Sequence, residues 1–207
     1  MFTLGRSLRI ATLNVRGLAA RWRQRQLYRL LTEKELDILA IQETKVESEE
    51  QTNNMVEPFL ARYLVCVCHA IGFSAGCCLF LKKSLGIEVQ TVMTCQSGRF
   101  ILCDLTLLGR EWRVLCIYAP NKTDEHRMFF ENIYQHFLSD RFIIFLGDFN
   151  CVWRMEDRSN RTRNSDNSIY GLNNIIQDFD LEDIAFCTPR ERATAYTNFQ
   201  GNSHAID

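Results

Sequence analysis

Two rhythms of apolar and polar positions run along this chain. Residues 8–15, "LRIATLNV", read as a strand with mixed alternation. Residues 21–35, "RWRQRQLYRLLTEKE", place Trp22, Leu27, Leu30 and Leu31 at near-helical spacing on a basic helix. "DILAIQE" is a buried strand ending in Glu43, and Ser48, with Glu50 and Gln51 behind it, starts a helix that runs through Met55 and Val56 to Phe59. Four strand-like runs follow, "RYLVCVCH", "GCCLFLK", "RFILCDLTL" and "EWRVLCIYAP", with a weaker one at "IEVQTVM". Gly109-Arg110 fits the tip of a hairpin joining the last two of the four. "TDEHRMFFENIYQHFL" predicts a capped amphipathic helix with Phe129, Ile133, Phe137 and Leu138 facing inward. "FIIFLGDFN" is the next strand, "YGLNNIIQDF" a short helix and "TAYTNF" a last strand.

Strands and helices intermixed, with several hairpins, give an α/β protein and exclude a purely parallel doubly wound sheet. Two packed mixed sheets with helices outside suit the pattern better. The expectation is one domain over 1–207, long enough for a large core. Residues 154–168, "RMEDRSNRTRNSDNS", form the one long polar loop, a length more often functional than decorative. No apolar run approaches the ~20 residues of a membrane span, and the start lacks a signal peptide's apolar core. An intracellular protein, in nucleus or cytoplasm, is expected.

Composition adds little until its distribution is considered. The net charge is −1, yet Arg16 to Lys34 carries six basic residues against Glu33, and Arg154 to Arg163 four arginines against Glu156 and Asp157. Two basic segments hidden in a neutral total suit a face that meets phosphates; a solvated helix and a charged loop are the plainer alternative. Of the nine cysteines, Cys66, Cys68, Cys77, Cys78, Cys103 and Cys116 lie in strand-like stretches. An odd count without paired metal-ligand spacing favours reduced, buried thiols over a zinc site or a disulfide framework.

Candidate chemistry gathers where strands end. Asn14 follows "IATL", Glu43 follows "ILAIQ", Tyr118 follows "VLCI", and Asp148 and Asn150 follow "IIFLG". Strand residues two apart share a face, so an extended chain past Gly147 would project Asp148 and Asn150 together. Loops at strand ends are where chemistry usually sits. Two carboxylates, two carboxamides and a phenol suit a hard divalent cation such as Mg²⁺, which prefers oxygen ligands and keeps several waters. Hydrolysis of a phosphoryl group needs charge neutralised and water oriented, which a metal, an Asp and an Asn can supply.

In this order, "LNVRG", "IQETK", "IYAPN" and "GDFN" resemble the endonuclease/exonuclease/phosphatase superfamily. The likeness is closest to the apurinic-endonuclease-like domain of LINE-type retrotransposons, strengthened by "EDRSNR" and "AYTNFQGNSHAID". The resemblance implies a four-layer α/β sandwich and Mg²⁺-dependent nicking of duplex DNA, with Mn²⁺ as a possible substitute. The 3′-hydroxyl left would prime reverse transcription, with a reverse transcriptase domain as partner in the same polyprotein. By resemblance Glu43 is the principal metal ligand and Asn14 helps arrange metal and phosphate. Asp148 positions or deprotonates the attacking water, Asn150 contacts phosphate, and Tyr118 lies near the scissile phosphate. Thr197 lines the DNA-facing surface, and Asp207 matches the aspartate of the penultimate motif. Arg158, Arg161 and Arg163 of the polar loop are expected to meet DNA phosphates. Family members resembling phosphatases usually carry a histidine where Ile117 stands; Tyr118 after it favours the apurinic-endonuclease-like branch. His69, His126, His136 and His204 match no catalytic position. The family's closing Ser-Asp-His motif would fall past Asp207, so the resemblance implies a domain incomplete at its C-terminus, without its closing strands. Two other readings stay open: a DNA-binding remnant that does not cut, and a phosphatase of the same fold.

Overall fold

A computed structural model describes residues 7–72, 74–152 and 169–184, with the backbone of 198–200 and 203–205. The chain divides into two compact units, Met1–Tyr118 with Arg141–Asp148, and Ala119–Asp140 with Phe149–Asp207.

The first unit holds strands β1 (Ile10–Asn14), β2 (Ile38–Gln42), β3 (Tyr63–Cys68), β4 (Cys77–Lys82), β5 (Glu88–Thr94), β6 (Phe100–Leu107), β7 (Arg110–Tyr118) and β8 (Phe142–Asp148). Helices α1 (Arg21–Glu33) and α2 (Glu49–Val56) belong to it as well. The strands form two mixed sheets of four, ordered β1-β2-β4-β3 and β5-β6-β7-β8. In each, one parallel pair, β1 with β2 or β7 with β8, accompanies antiparallel neighbours. This is the α/β class with two mixed sheets that the pattern predicts.

The apolar runs of β2 and β4 have a direct cause. Ile38, Ala40, Cys77, Leu79 and Leu81 point into one core, against Ile101, Cys103, Val114, Cys116 and Leu146 of the other sheet. The alternate residues Leu39, Ile41, Cys78 and Phe80 point into a second core, against Leu27, Leu31, Met55 and Phe59. Period-two alternation feeds two cores at once, so a doubly covered strand shows no polar face. Burying each such Leu, Ile or Phe contributes ~1.5–3 kcal/mol relative to exposure. The phenol of Tyr63 bridges this helix side to the sheet, donating to Leu36 O at 3.0 Å.

Local signals explain where elements start and turn. Ser48 caps α2, its hydroxyl accepting from Gln51 N–H at 3.2 Å. The β6–β7 hairpin turns through Leu108 and Gly109, both with positive φ, 53° and 72°, as a tight primed turn requires. Helix α1 departs from the pattern: Trp22 is 57% exposed, and Leu27 and Leu31 carry the packing. Strand β8 is buried only towards its end, at Leu146 and Gly147, while Phe142 is 53% exposed beside Trp112.

The second unit contains α3 (Thr123–Ile133), a 3-10 turn over Tyr134–Phe137, α4 (Tyr170–Asp178), and an antiparallel pair, β9 (Asn198–Gln200) with β10 (Ser203–Ala205). Phe130, Ile133, Phe137, Leu172 and Ile175 are among its buried residues, and Phe130 replaces the expected Phe129. Leu138 is 66% exposed rather than inward, because the chain turns from 3-10 to extended there. Nor is α3 side-chain capped, since Lys122 occupies the capping position. His126 is buried, its Nε2 2.9 Å from Phe149 O. The polar loop 154–168 lies outside the described residues. Among those described, no helix is long and apolar enough to cross a membrane.

Candidate active site

The ends of β1, β2, β7 and β8 meet in the first unit. Parallel pairing brings Asn14 beside Gln42, the last residue of β2, and Tyr118 beside Asp148. The second alignment depends on Gly147, whose neighbour in β7 is Ile117. A Cβ there would lie 2.1 Å from Ile117 O, so only glycine lets β8 approach this closely.

Beyond the sheet, the exits of β1 and β2 remain joined. Val15 N–H donates to Gln42 O at 2.9 Å, Gly17 N–H to Glu43 O at 2.6 Å and Leu18 N–H to Thr44 O at 2.9 Å. Arg16, Glu43 and Lys45 adopt positive φ of 48°, 54° and 54°. Non-glycine residues in that region cost of order 1–3 kcal/mol each and persist only where their surroundings hold them. The zipped exits supply the hold, and Glu43 is aimed back over the strand ends.

Asn14 is the hub. Its Nδ2 donates to Glu43 Oε1 at 2.9 Å and to Asp148 Oδ2 at 2.7 Å. Its Oδ1 accepts from Arg16 N–H at 3.0 Å, which fixes the amide's hydrogens towards the two carboxylates. The Tyr118 phenol donates to the same Glu43 Oε1 at 2.8 Å. Lys45 Nζ stands 3.6 Å from Glu43 Oε2.

These contacts set the charge state. Burial pushes the Glu43 carboxyl up, but the hydrogen bonds from Asn14 and Tyr118 and the Lys45 ammonium outweigh it, leaving the group below its ordinary value. Burial, followed by the bond to Glu43, pushes the Tyr118 phenol up to about 12. At neutral pH the pair is therefore a carboxylate held by a protonated phenol. Among the described residues no three or more His, Cys, Asp or Glu side chains gather to hold a metal. Asn14, Glu43, Tyr118 and Asp148 offer oxygen donors, a set that suits a Mg²⁺-type ion better than zinc.

Of the residues the sequence marked, Asn14, Glu43, Tyr118 and Asp148 are brought together. Asn150 is not an extension of β8: the strand ends at Asp148 and Asn150 has φ of 49°. The alternation placing it on one face with Asp148 therefore does not apply. It belongs to the second unit, where its amide donates to Ala119 O at 2.6 Å. Arg158, Arg161, Arg163, Thr197 and Asp207 lie outside the described residues. Two neighbours escaped the sequence reading. Arg99 stacks its guanidinium 4.8 Å from the Tyr118 ring centre, donates to Tyr118 O at 3.2 Å and accepts Tyr118 N–H at 2.8 Å. Lys45, visible inside "IQETK", gives Glu43 its cation.

Comparison with known proteins places this geometry. Residues 11–205 match the model of the Endonuclease/Exonuclease/phosphatase family. A protein from Xenopus laevis described as the transposon TX1 uncharacterized 149 kDa protein is 28% identical over 181 residues. That match covers 86% of this chain and 14% of the relative, so the chain spans about a seventh of its length. An AP endonuclease from Archaeoglobus fulgidus superposes with a TM-score of 0.73 at 21% identity, over 95% of this chain and 80% of that one. TDP2 from D. rerio, solved with a single-strand DNA product, gives 0.55 at 19%, over 70% and 61%. At these identities the two structures establish the fold.

Proposed function

This chain belongs to the endonuclease/exonuclease/phosphatase family, and on that premise we propose that it is a Mg²⁺-dependent endonuclease. Its substrate would be duplex DNA, nicked in one strand to leave a 3′-hydroxyl for target-primed reverse transcription. The likeness to a transposon protein and to DNA-processing folds supports that substrate. The reverse transcriptase acting on the new end would be a further domain of the same polyprotein.

One observation carries the reading: a single amide, Asn14, bridges the Glu43 and Asp148 carboxylates at 2.9 and 2.7 Å. Two carboxylates this close repel unless something cationic or hydrogen-bonding lies between them. Asn14 answers both with dipoles, with Lys45 3.6 Å from Glu43, and a divalent cation would add positive charge where the two carboxylates meet. The cation, when bound, would neutralise the phosphate and stabilise charge developing in hydrolysis. Glu43 would hold it. Asp148, oriented by Asn14, would accept the proton of the attacking water. Tyr118, protonated at neutral pH, would hold Glu43 in place and present its phenol beside the phosphate. Asn150 would add a contact to the phosphate, and Thr197, Asp207 and the arginines at 158, 161 and 163 would line the DNA path.

The test is a supercoiled-plasmid assay with Mg²⁺, with chelator, and with Asp148→Ala or Glu43→Ala. The expected result is open-circle DNA, only with Mg²⁺ and only from the wild type, whose new ends a polymerase extends. Intact DNA binding without any nicking would overturn the endonuclease reading in favour of a binding module. Hydrolysis confined to small phosphomonoesters would favour a phosphatase.

A further inference from the structure

The family assignment leaves the cysteines of the first unit unused. Three pairs of thiols lie near enough to shift each other's ionisation: Cys66 with Cys103, Cys77 with Cys116, and Cys68 with Cys95. One pair is closed: Cys77 and Cys116 are fully buried, and the thiol contact followed by burial pushes Cys77 up, which keeps it protonated and inert. In a second, Cys103 is buried and pushed up in the same way, while Cys66 is half-buried and lowered by its contact with Cys103.

The third pair gathers further donors on its half-buried sulfur. Cys68 is buried at the end of β3, but Cys95, in the turn between β5 and β6, is only half-buried. The Cys95 sulfur accepts from Arg99 N–H at 3.2 Å and lies 3.1 Å from the Ser97 hydroxyl. Cys68 Sγ donates to the Cys95 carbonyl at 3.3 Å, which holds the two residues side by side. Donors gathered on one sulfur favour its thiolate. The Cys68 contact first, then Ser97 and Arg99, lower Cys95 to about 5, while the same contact pushes Cys68 up. A nucleophilic thiolate with access to solvent and a protonated thiol behind it is the arrangement of an attacked and a resolving cysteine.

We propose that Cys95 and Cys68 are a peroxide-oxidised modification site, closing to a disulfide that acts on the catalytic end of the sheet. The Cys95 thiolate attacks one oxygen of hydrogen peroxide; the S–O bond forms, the O–O bond breaks and hydroxide leaves. Cys95 becomes a sulfenic acid, oxidised by two electrons as the peroxide is reduced. Cys68 sulfur then attacks Cys95 sulfur, the S–S bond replaces the S–O bond, and the hydroxyl departs with the Cys68 proton as water. Two thiols and one peroxide give one disulfide and, with protons counted, two waters. The route to the site is Arg99. Its N–H loses a thiolate acceptor, while its carbonyl and guanidinium hold Tyr118, and Tyr118 holds Glu43.

The chemical claim stands apart from the proposed nuclease reading; only the coupling to Tyr118 rests on it. The test treats the purified protein with near-stoichiometric hydrogen peroxide, blocks remaining thiols and maps peptides by mass. The expected result is one dominant linkage, Cys68 to Cys95, with Cys77, Cys78, Cys103 and Cys116 blocked only after denaturation. In Cys68→Ser, Cys95 stops as a sulfenic acid that a cyclic 1,3-dione captures. Cys95 left reduced while another cysteine reacts, or joined to a partner other than Cys68, overturns the assignment. In parallel, oxidised wild type should nick roughly tenfold more slowly, as one weakened hydrogen bond on Glu43 would give, and recover with a dithiol reductant. Full-rate nicking with the disulfide in place overturns the coupling. A protein that forms the disulfide but nicks in neither state confirms the modification and counts against the nuclease reading alone.

Discussion

Two carboxylates of the same unit, Asp104 buried and Glu43 half-buried, are served in opposite ways. Asp104 in β6 is 7% exposed and receives Arg113 as a fork, Nε to Oδ1 and Nη2 to Oδ2, both at 2.7 Å. Arg141 adds a second guanidinium at 3.5 Å from Asp104 and 3.5 Å from Glu111. That charge is answered within the protein, and its hydrogen bond holds Arg113 above its ordinary value. Glu43 instead receives an amide and a phenol, and its nearest cation stands back at 3.6 Å. Neutral donors fix its position without cancelling its charge. A carboxylate held by neutral donors and one looser lysine, rather than by a bidentate guanidinium, is the kind that would take an outside cation on the proposed function.

The contrast breaks most visibly through Asp148→Ala or Glu43→Ala. Nicking should fall by at least ~10²–10³, the usual cost of removing an electrostatic stabiliser, while thermal unfolding stays near the wild type. The complementary change, Arg113→Ala, leaves Asp104 buried with its fork removed. It should cost about 3–5 kcal/mol in denaturant unfolding and leave nicking per folded molecule intact.

A finer cut is Tyr118→Phe, which keeps the ring against Arg99 but removes one donor from Glu43. Nicking should drop about tenfold, as one hydrogen bond is worth roughly 1 kcal/mol. The direction in pH is fixed as well. The phenol helps depress Glu43, so its loss raises that carboxyl and moves the acid limb of the pH–rate profile to higher pH. In the wild type, stability from ionised Glu43 is complete above its unfolded value and fades as pH falls through the lower folded one. Least of all should follow from Trp22→Ala, whose stability change is expected within ~0.5 kcal/mol because the side chain is exposed.

Much of this arrangement is legible in sequence, because each site residue terminates an apolar run and both runs and ends leave marks. Strands β2 and β4 were readable for the same reason that they lack alternation: both their faces are buried. The misreadings have local causes. Phe129 and Phe130 are adjacent aromatics, and helical period alone does not decide which one turns inward. Asn150 fails because alternation holds only while the backbone stays extended, and its φ of 49° ends that at the residue in question. Trp22 sits at an apolar position in the pattern yet remains outside, with Arg23 stacked at 5.2 Å. Arg99 left no mark at all. A single arginine opening a strand has no period, and its value comes from Tyr118, brought to it by the β6–β7 hairpin.

The bond between Asn14 and Asp148 joins residues 134 positions apart. Ordering a contact of that span means closing about two thirds of the chain first, and such contacts slow folding and form late. The four side chains come from β1, the exit of β2, β7 and β8, and Asp148 is the last of them to be synthesised. A growing or partly folded chain would therefore present Glu43 and Asn14 without the carboxylate that completes them. If the chain cuts DNA as proposed, cutting would be withheld until β8 has docked beside β7, and an immature protein would be unable to damage DNA.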